Sequence, residues 1–151
     1  MLTCSFTGHR TIPRGKIEYV RQELRREIEL AVAEGFTRFI SGFASGVDLE
    51  AAAIVAEMKR ENPALFLEAA IPYRGRMKTV EPLFRELIGQ CDSVYCECEE
   101  YAANCYFLRN YYLVKSAERV IAVFSGRQRS GTAQTMRLAE KLGCELRIIR
   151  T

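Results

Sequence analysis

Three short segments concentrate the residue types that grip an anion: Thr7-Gly8-His9-Arg10, Ser41-Gly42-Phe43-Ala44-Ser45-Gly46-Val47-Asp48, and Ser125-Gly126-Arg127-Gln128-Arg129-Ser130-Gly131-Thr132. They hold five of the ten glycines, each beside hydroxyls or cations. Glycine lets a backbone turn with positive φ and lets a ligand approach the main chain, and a helix that starts after such a turn presents unpaired N–H groups to a negative charge. Phosphate is the natural guest of such loops. The expected site has main-chain amides of Gly42 to Gly46 and of Ser130 to Thr132 around a phosphate. Arg10 and Arg109 would neutralise it, and Asp48 or Asn110 would orient a sugar. The hydroxyls of Thr7, Ser41, Ser45, Ser125, Ser130 and Thr132 could add donors, and Arg74, Arg76, Lys78, Arg127 and Arg129 are expected on the same rim.

Single residues in these segments have structural readings as well. Asp48, in the first turn of its helix, could satisfy backbone N–H groups as readily as it could touch a ribose hydroxyl, and Glu50 is similar but less constrained. His9, the only histidine, titrates near neutrality and could serve as a proton donor, as a charge on phosphate, or simply as a hydrogen-bonding loop residue. Cys91, Cys96, Cys98 and Cys105 lack the paired C-x-x-C spacing of tetrahedral metal sites, so neither a metal nor a cofactor is expected. No Gly-Lys-Ser or Gly-Lys-Thr triplet and no G-x-G-x-x-G occurs, which removes P-loop chemistry and the usual dinucleotide fingerprint. Around Arg109-Asn110, the rings of Tyr101, Tyr106, Phe107, Tyr111 and Tyr112 are read mostly as packing against the sheet or a partner subunit, with one tyrosine free to stack on a base.

Positioning these segments requires strands that end where they begin. Apolar runs at residues 2–7, 36–41, 65–71, 93–96, 119–124 and 145–149 read as strands. Between them, Ile17, Val20, Leu24, Ile28 and Ala31 form one helical stripe ending near Gly35, and the alanine-rich stretch 46–61 stops at Asn62-Pro63. Further helices are expected near 80–90, 104–117 and 131–142, and the cation-rich segment Pro72–Val80 reads as a mobile loop. The alternation predicts an α/β domain with a mostly parallel sheet of about six strands covered on both faces, whose ligand lies beyond the carboxyl ends of the strands.

A chain of 151 residues suits one domain over 1–151, and a net charge of +3 is too small an excess to make nonspecific nucleic-acid binding the default. The N-terminus reaches Gly8, His9 and Arg10 too early for a signal-peptide core, no stretch is long and apolar enough to span a membrane, and the cysteines read as reduced thiols, so a cytoplasmic location is expected. The aromatic helix near 106–112 makes a homodimer reasonable.

The motifs TGHR at 7–10, SGFASGVDLEAA at 41–52, IPY at 71–73, EEYAANCYFLRNYYLVKSAERVIAVFSG at 99–126 and SGTAQT at 130–135 resemble, in that order, those of the SLOG superfamily and its YpsA-like branch of stand-alone bacterial domains. The resemblance implies a Rossmann-like, three-layer αβα fold. It also implies binding or sensing of a nucleotide or nucleotide-derived ligand without established catalysis, with Gly8, Arg10, Ser41, Gly42, Gly46, Asp48, Arg109, Asn110, Gly131 and Thr132 on motif positions. Two relatives imply alternatives. The S-G-x-A-x-G-V-D segment is similar to one in the DNA-processing protein A family, which implies single-stranded DNA as partner, although the additional domains usual there are lacking. The Gly-Thr loop is similar to that of LOG-type phosphoribohydrolases, which cleave the N-glycosidic bond of nucleoside monophosphates, but their glutamate three residues after the threonine is Thr135 here. The branch's usual Gly-Gly-Thr also becomes Ser130-Gly131-Thr132.

Overall fold

In the computed structural model, which describes residues 1–151, each apolar run becomes one strand of a six-stranded sheet. The strands are β1 (Leu2–Gly8), β2 (Phe36–Ser41), β3 (Phe66–Tyr73), β4 (Ser93–Cys98), β5 (Arg119–Phe124) and β6 (Glu145–Arg150). They lie in the order β4-β3-β2-β1-β5-β6, and every pairing is parallel. The chain winds outward from β1 to β4 and then returns across the sheet to place β5 on the other side of β1. Right-handed crossovers therefore carry the helices before and after that return to opposite faces.

On one face lie α1 (Ile17–Ala33), α2 (Val47–Lys59) and α3 (Pro82–Ile88); on the other lie α4 (Cys105–Lys115) and α5 (Gly131–Lys141). The three layers match the expected Rossmann-like build. Val20, Leu24, Ile28 and Ala31 of the α1 stripe are all fully buried and join the main core with Phe6, Phe39, Phe43 and Phe84. Phe6 stacks on Phe39 at 6.2 Å between ring centroids, and Phe43 meets Phe84 edge-on at 5.5 Å. The second pair ties the loop before α2 to α3. No helix is long and apolar enough to cross a membrane.

The segment expected as a mobile loop is ordered. β3 continues to Tyr73, and Arg74–Lys78 form a 3-10 turn. Arg85 Nη1 donates to the Met77 carbonyl at 2.7 Å, and the Arg76 guanidinium lies over the Phe84 ring. Its composition resembled a solvated loop because the contacts that hold it come from α3, which sequence periodicity does not reveal. Of the aromatic helix, Tyr112 packs inward: it stacks on Tyr95 at 3.7 Å and its hydroxyl donates to Glu68.

Candidate functional site

β1 and β5 are neighbours whose following connections leave in opposite directions, to α1 on one face and α5 on the other. Their carboxyl ends thus open a crevice at the topological switch point, the place where open parallel sheets bind ligands. A cavity of about 660 Å³ occupies it.

The β1 end supplies Thr7, Gly8, His9 and Arg10 to the cavity wall. A Cβ on Gly8 would come within 2.4 Å of the Val47 side chain, so only glycine lets the start of α2 pack against the β1 end. His9 bridges two other segments: its carbonyl accepts from the Val47 amide at 3.2 Å, and its Nε2 accepts from the Ser125 amide at 3.1 Å. Burial, and then the charge of Arg127, lowers its pKa below the ordinary histidine value. The Arg10 guanidinium sits over the Tyr106 ring at 5.0 Å.

The loop before α2 departs from expectation. Ser41, Gly42, Ser45 and Gly46 do not line the cavity, whereas Ala44, Val47 and Asp48 do. The Ser41 hydroxyl donates to the Asp48 carbonyl at 2.8 Å and accepts from the Phe43 amide; the Ser45 hydroxyl donates to Glu81 at 2.6 Å. The amides of Phe43, Ala44 and Val47 are consumed by Ser41, Asp48 and His9 respectively. Two amides of the expected Gly42 to Gly46 cradle, those of Phe43 and Ala44, are therefore spent on the protein's own side chains, as are the hydroxyls of Ser41 and Ser45. The glycines of the loop serve close packing: a Cβ on Gly46, at φ +83°, would lie 2.5 Å from the carbonyl oxygens of both His9 and Arg10.

Two charges instead enter the cavity, Asp48 from the first turn of α2 and Arg109 from α4. Asp48 and Arg109 are 6% and 4% exposed. A Cβ on Gly42 would come within 2.7 Å of Asp48 Oδ2 and 2.9 Å of Arg109 Nη1, so the two groups close around the glycine. Arg109 Nη1 donates to the carbonyls of Gly42 and Ala70 at 2.7 and 3.1 Å, its Nε donates to Asn110 Oδ1, and Asp48 Oδ2 accepts from the Ala44 amide at 3.3 Å. Asp48 Oδ1 and Arg109 Nη2 engage no hydrogen bond within the protein, and both residues line the cavity. Burial pushes the Asp48 carboxyl up to about 6 despite the opposing pull of Arg109, the Ala44 amide and Arg10; burial likewise lowers the pKa of Arg109, offset by Asp48.

The opposite wall is the β5–α5 loop, from which Ser125, Arg127, Arg129, Ser130, Gly131 and Thr132 line the cavity and Gly126 does not. Gly126, at φ +93°, makes the turn. Ser130 is the N-cap of α5: its Oγ accepts from the Ala133 amide at 3.1 Å and donates to the Arg127 carbonyl at 2.7 Å. This leaves the amides of Gly131 and Thr132, the first two residues of the helix, without intrahelical partners and with the positive end of the helix dipole behind them.

Nearly the whole chain matches a known family. A model of the family YpsA, described as the YspA SLOG family, matches residues 8–150. The chain belongs to this SLOG family. No curated protein matches it. Among solved structures it is similar to the X-ray structure of TM1055, a structural-genomics target, with a TM-score of 0.60 and 17% identity, covering 97% of this chain and 72% of that one; at this identity the likeness concerns the fold.

In this SLOG-family chain the position of the hydrolase-type glutamate, Thr135, is 1% exposed with its hydroxyl donating to the Gly131 carbonyl. Several expected rim residues lie elsewhere. Arg74 pairs with Glu99 at 2.8 Å, Arg74, Arg76 and Lys78 do not line the cavity, and Glu50 pairs with Arg21 at 2.7 Å. No group of three or more histidine, cysteine or acidic side chains is placed to hold a metal ion. Tyr106, Phe107 and Gln134 line the cavity without having been singled out as ligand contacts. Tyr106 and Phe107 had only their aromatic character as a signal, and Gln134 had none beyond lying one helical turn from Ser130.

Proposed function

We propose that this cavity binds a nucleotide or nucleotide-derived small molecule, with the phosphate at the start of α5 and the sugar or base toward Asp48 and Arg109. The observation that carries the reading is the pairing, within one cavity, of the open Gly131 and Thr132 amides beside Arg127 and Arg129 with the buried, partly unpartnered Asp48 and Arg109. A phosphate satisfies the first end, since helix-start amides and guanidiniums both favour a compact anion. A sugar hydroxyl satisfies the second, because it can donate to a carboxylate oxygen and accept from a guanidinium at once. SLOG-family membership agrees with a nucleotide-related role.

Thermal shift with AMP, ATP, NAD, ADP-ribose and single-stranded DNA tests the reading. A nucleotide at about a hundred times its dissociation constant adds roughly 2.7 kcal/mol of stability. The expected result is a shift with at least one mononucleotide or dinucleotide that the Arg127→Gln, Arg129→Gln double variant loses. No shift with any nucleotide overturns it, and a shift with DNA alone transfers the function to strand binding. One observation favours a hydrolytic variant of the reading: the cavity carboxyl of Asp48 is held near 6, in the range useful for acid–base chemistry. Its test is release of free base from nucleoside monophosphates, abolished by Asp48→Asn.

A further inference from the structure

The lone histidine lines the cavity and joins two segments of its wall. An imidazole nitrogen that accepts from a backbone amide carries no proton, so the contact from the Ser125 amide to His9 Nε2 at 3.1 Å places the single ring proton on Nδ1. The ring also lies against Phe124, with centroids 6.2 Å apart. Ser125 begins the loop that leads to Gly131 and Thr132, which also line the cavity and whose amides have no intrahelical partner. His9 thus engages an N–H group belonging to the same anion-facing wall.

We propose that His9 and the Ser125 amide form a proton-gated arm of this anion site: a doubly charged oxyanion of the phosphate class takes the Ser125 amide from His9, which gains one proton from solvent at Nε2 and donates it in a hydrogen bond to the anion. The inference rests on the reading that the cavity holds a phosphate. Without an anion, protonation would set an imidazole N–H against the Ser125 N–H and add a cation to a wall already positive. The groups sharing that space are Arg10 on the β1 loop, Arg127 and Arg129 on the β5–α5 loop, Arg109 and Tyr106 on α4, and Asp48 on α2; the α1 approach contributes only Thr11, Ile12 and Pro13, and Thr151 after β6 contributes a neutral side chain. Asp48 is the one acidic side chain among them, with Arg109 beside it, and the carboxyl end at Thr151 is met by Lys16 at 3.3 Å. A dianion placed between the loops reverses the balance, since it accepts from both nitrogens and is attracted to every cation named.

Sulfate is the probe, because it stays a dianion across the window and its own titration cannot imitate the gate. With one histidine in the chain, the imidazole resonances of the untagged protein are unambiguous by NMR. The expected result is a His9 titration midpoint that lies below the ordinary value in the free protein and rises by about one pH unit or more with saturating sulfate, the Ser125, Gly131 and Thr132 amides shifting together. By reciprocity, sulfate then binds about tenfold tighter below the midpoint than well above it. His9→Gln, whose amide oxygen can still accept from Ser125 but cannot be protonated, removes the pH dependence, whereas in Asp48→Asn it persists. Shifts at Gly131 and Thr132 with an unmoved His9 midpoint overturn the gate and leave the anion site standing. No shift at any of these residues overturns the gate together with the reading beneath it.

Discussion

Replacing Asp48 by asparagine isolates the energetic cost of placing a carboxylate in the cavity wall. The carboxyl is raised from 3.8 to about 6, chiefly by burial. Between those values the folded state binds more protons than the unfolded state, so the contribution of this group to stability is fully present below about pH 4 and is lost as pH rises through 6. At ~1.4 kcal/mol per pH unit the loss amounts to about 3 kcal/mol. Asparagine keeps an oxygen for the Ala44 amide but does not ionise. The expected outcome, read by urea denaturation of both proteins at about pH 4 and pH 7, is that the stability of Asp48→Asn relative to the parent increases by about 2 kcal/mol across the interval, the unfolded carboxyl being already partly ionised at the lower pH. Its sign is opposite to that of an ordinary carboxylate ion pair such as Lys59–Asp92, where Asp92 is lowered and stability is lost as the medium acidifies. A difference that stays constant with pH would refute the burial argument. A difference that shrinks would show that Arg109 and Arg10 outweigh desolvation and that Asp48 is a conventional ion-pair partner.

Gly46→Ala should cost about 2 kcal/mol or more, because it combines a φ of +83° with a Cβ 2.5 Å from two carbonyl oxygens. Gly126→Ala, at φ +93° with open space around it, should cost only about 1 kcal/mol, and denaturation of the two side by side separates close packing from backbone strain. Ser130→Ala removes the α5 cap from the Ala133 amide and should cost about 1 kcal/mol in the same assay; no change would mean that the helix start is held by other contacts.

The sequence by itself determined the elements and their order. Periodicity and turn residues located all six strands, within two residues at either end, because each is a short, largely apolar run bounded by turn residues or charges. Alternation of strand and helix required crossovers, and crossover handedness left a parallel sheet as the outcome. The segments carrying Gly8, Gly46, Gly131 and their neighbours were legible for the same reason: each follows a strand and opens toward a helix. What each residue does in those segments was decided by tertiary structure. The composition of Ser41–Asp48 looks like an anion-binding loop, yet its two serine hydroxyls and the amides of Phe43, Ala44 and Val47 are engaged by the loop itself, by Glu81 and by His9, brought close only when β1, α2 and the Glu81 segment pack. Arg109 sits 67 positions from the Gly42 carbonyl it binds, and His9 sits 116 positions from the Ser125 amide. Hydrogen bonds and desolvation depend on distance through space, and a one-dimensional pattern contains periodicity but not those distances. The sequence therefore marks the edge of the sheet where a ligand belongs, and only the folded chain separates the side chains that face it from those that hold the loops in place.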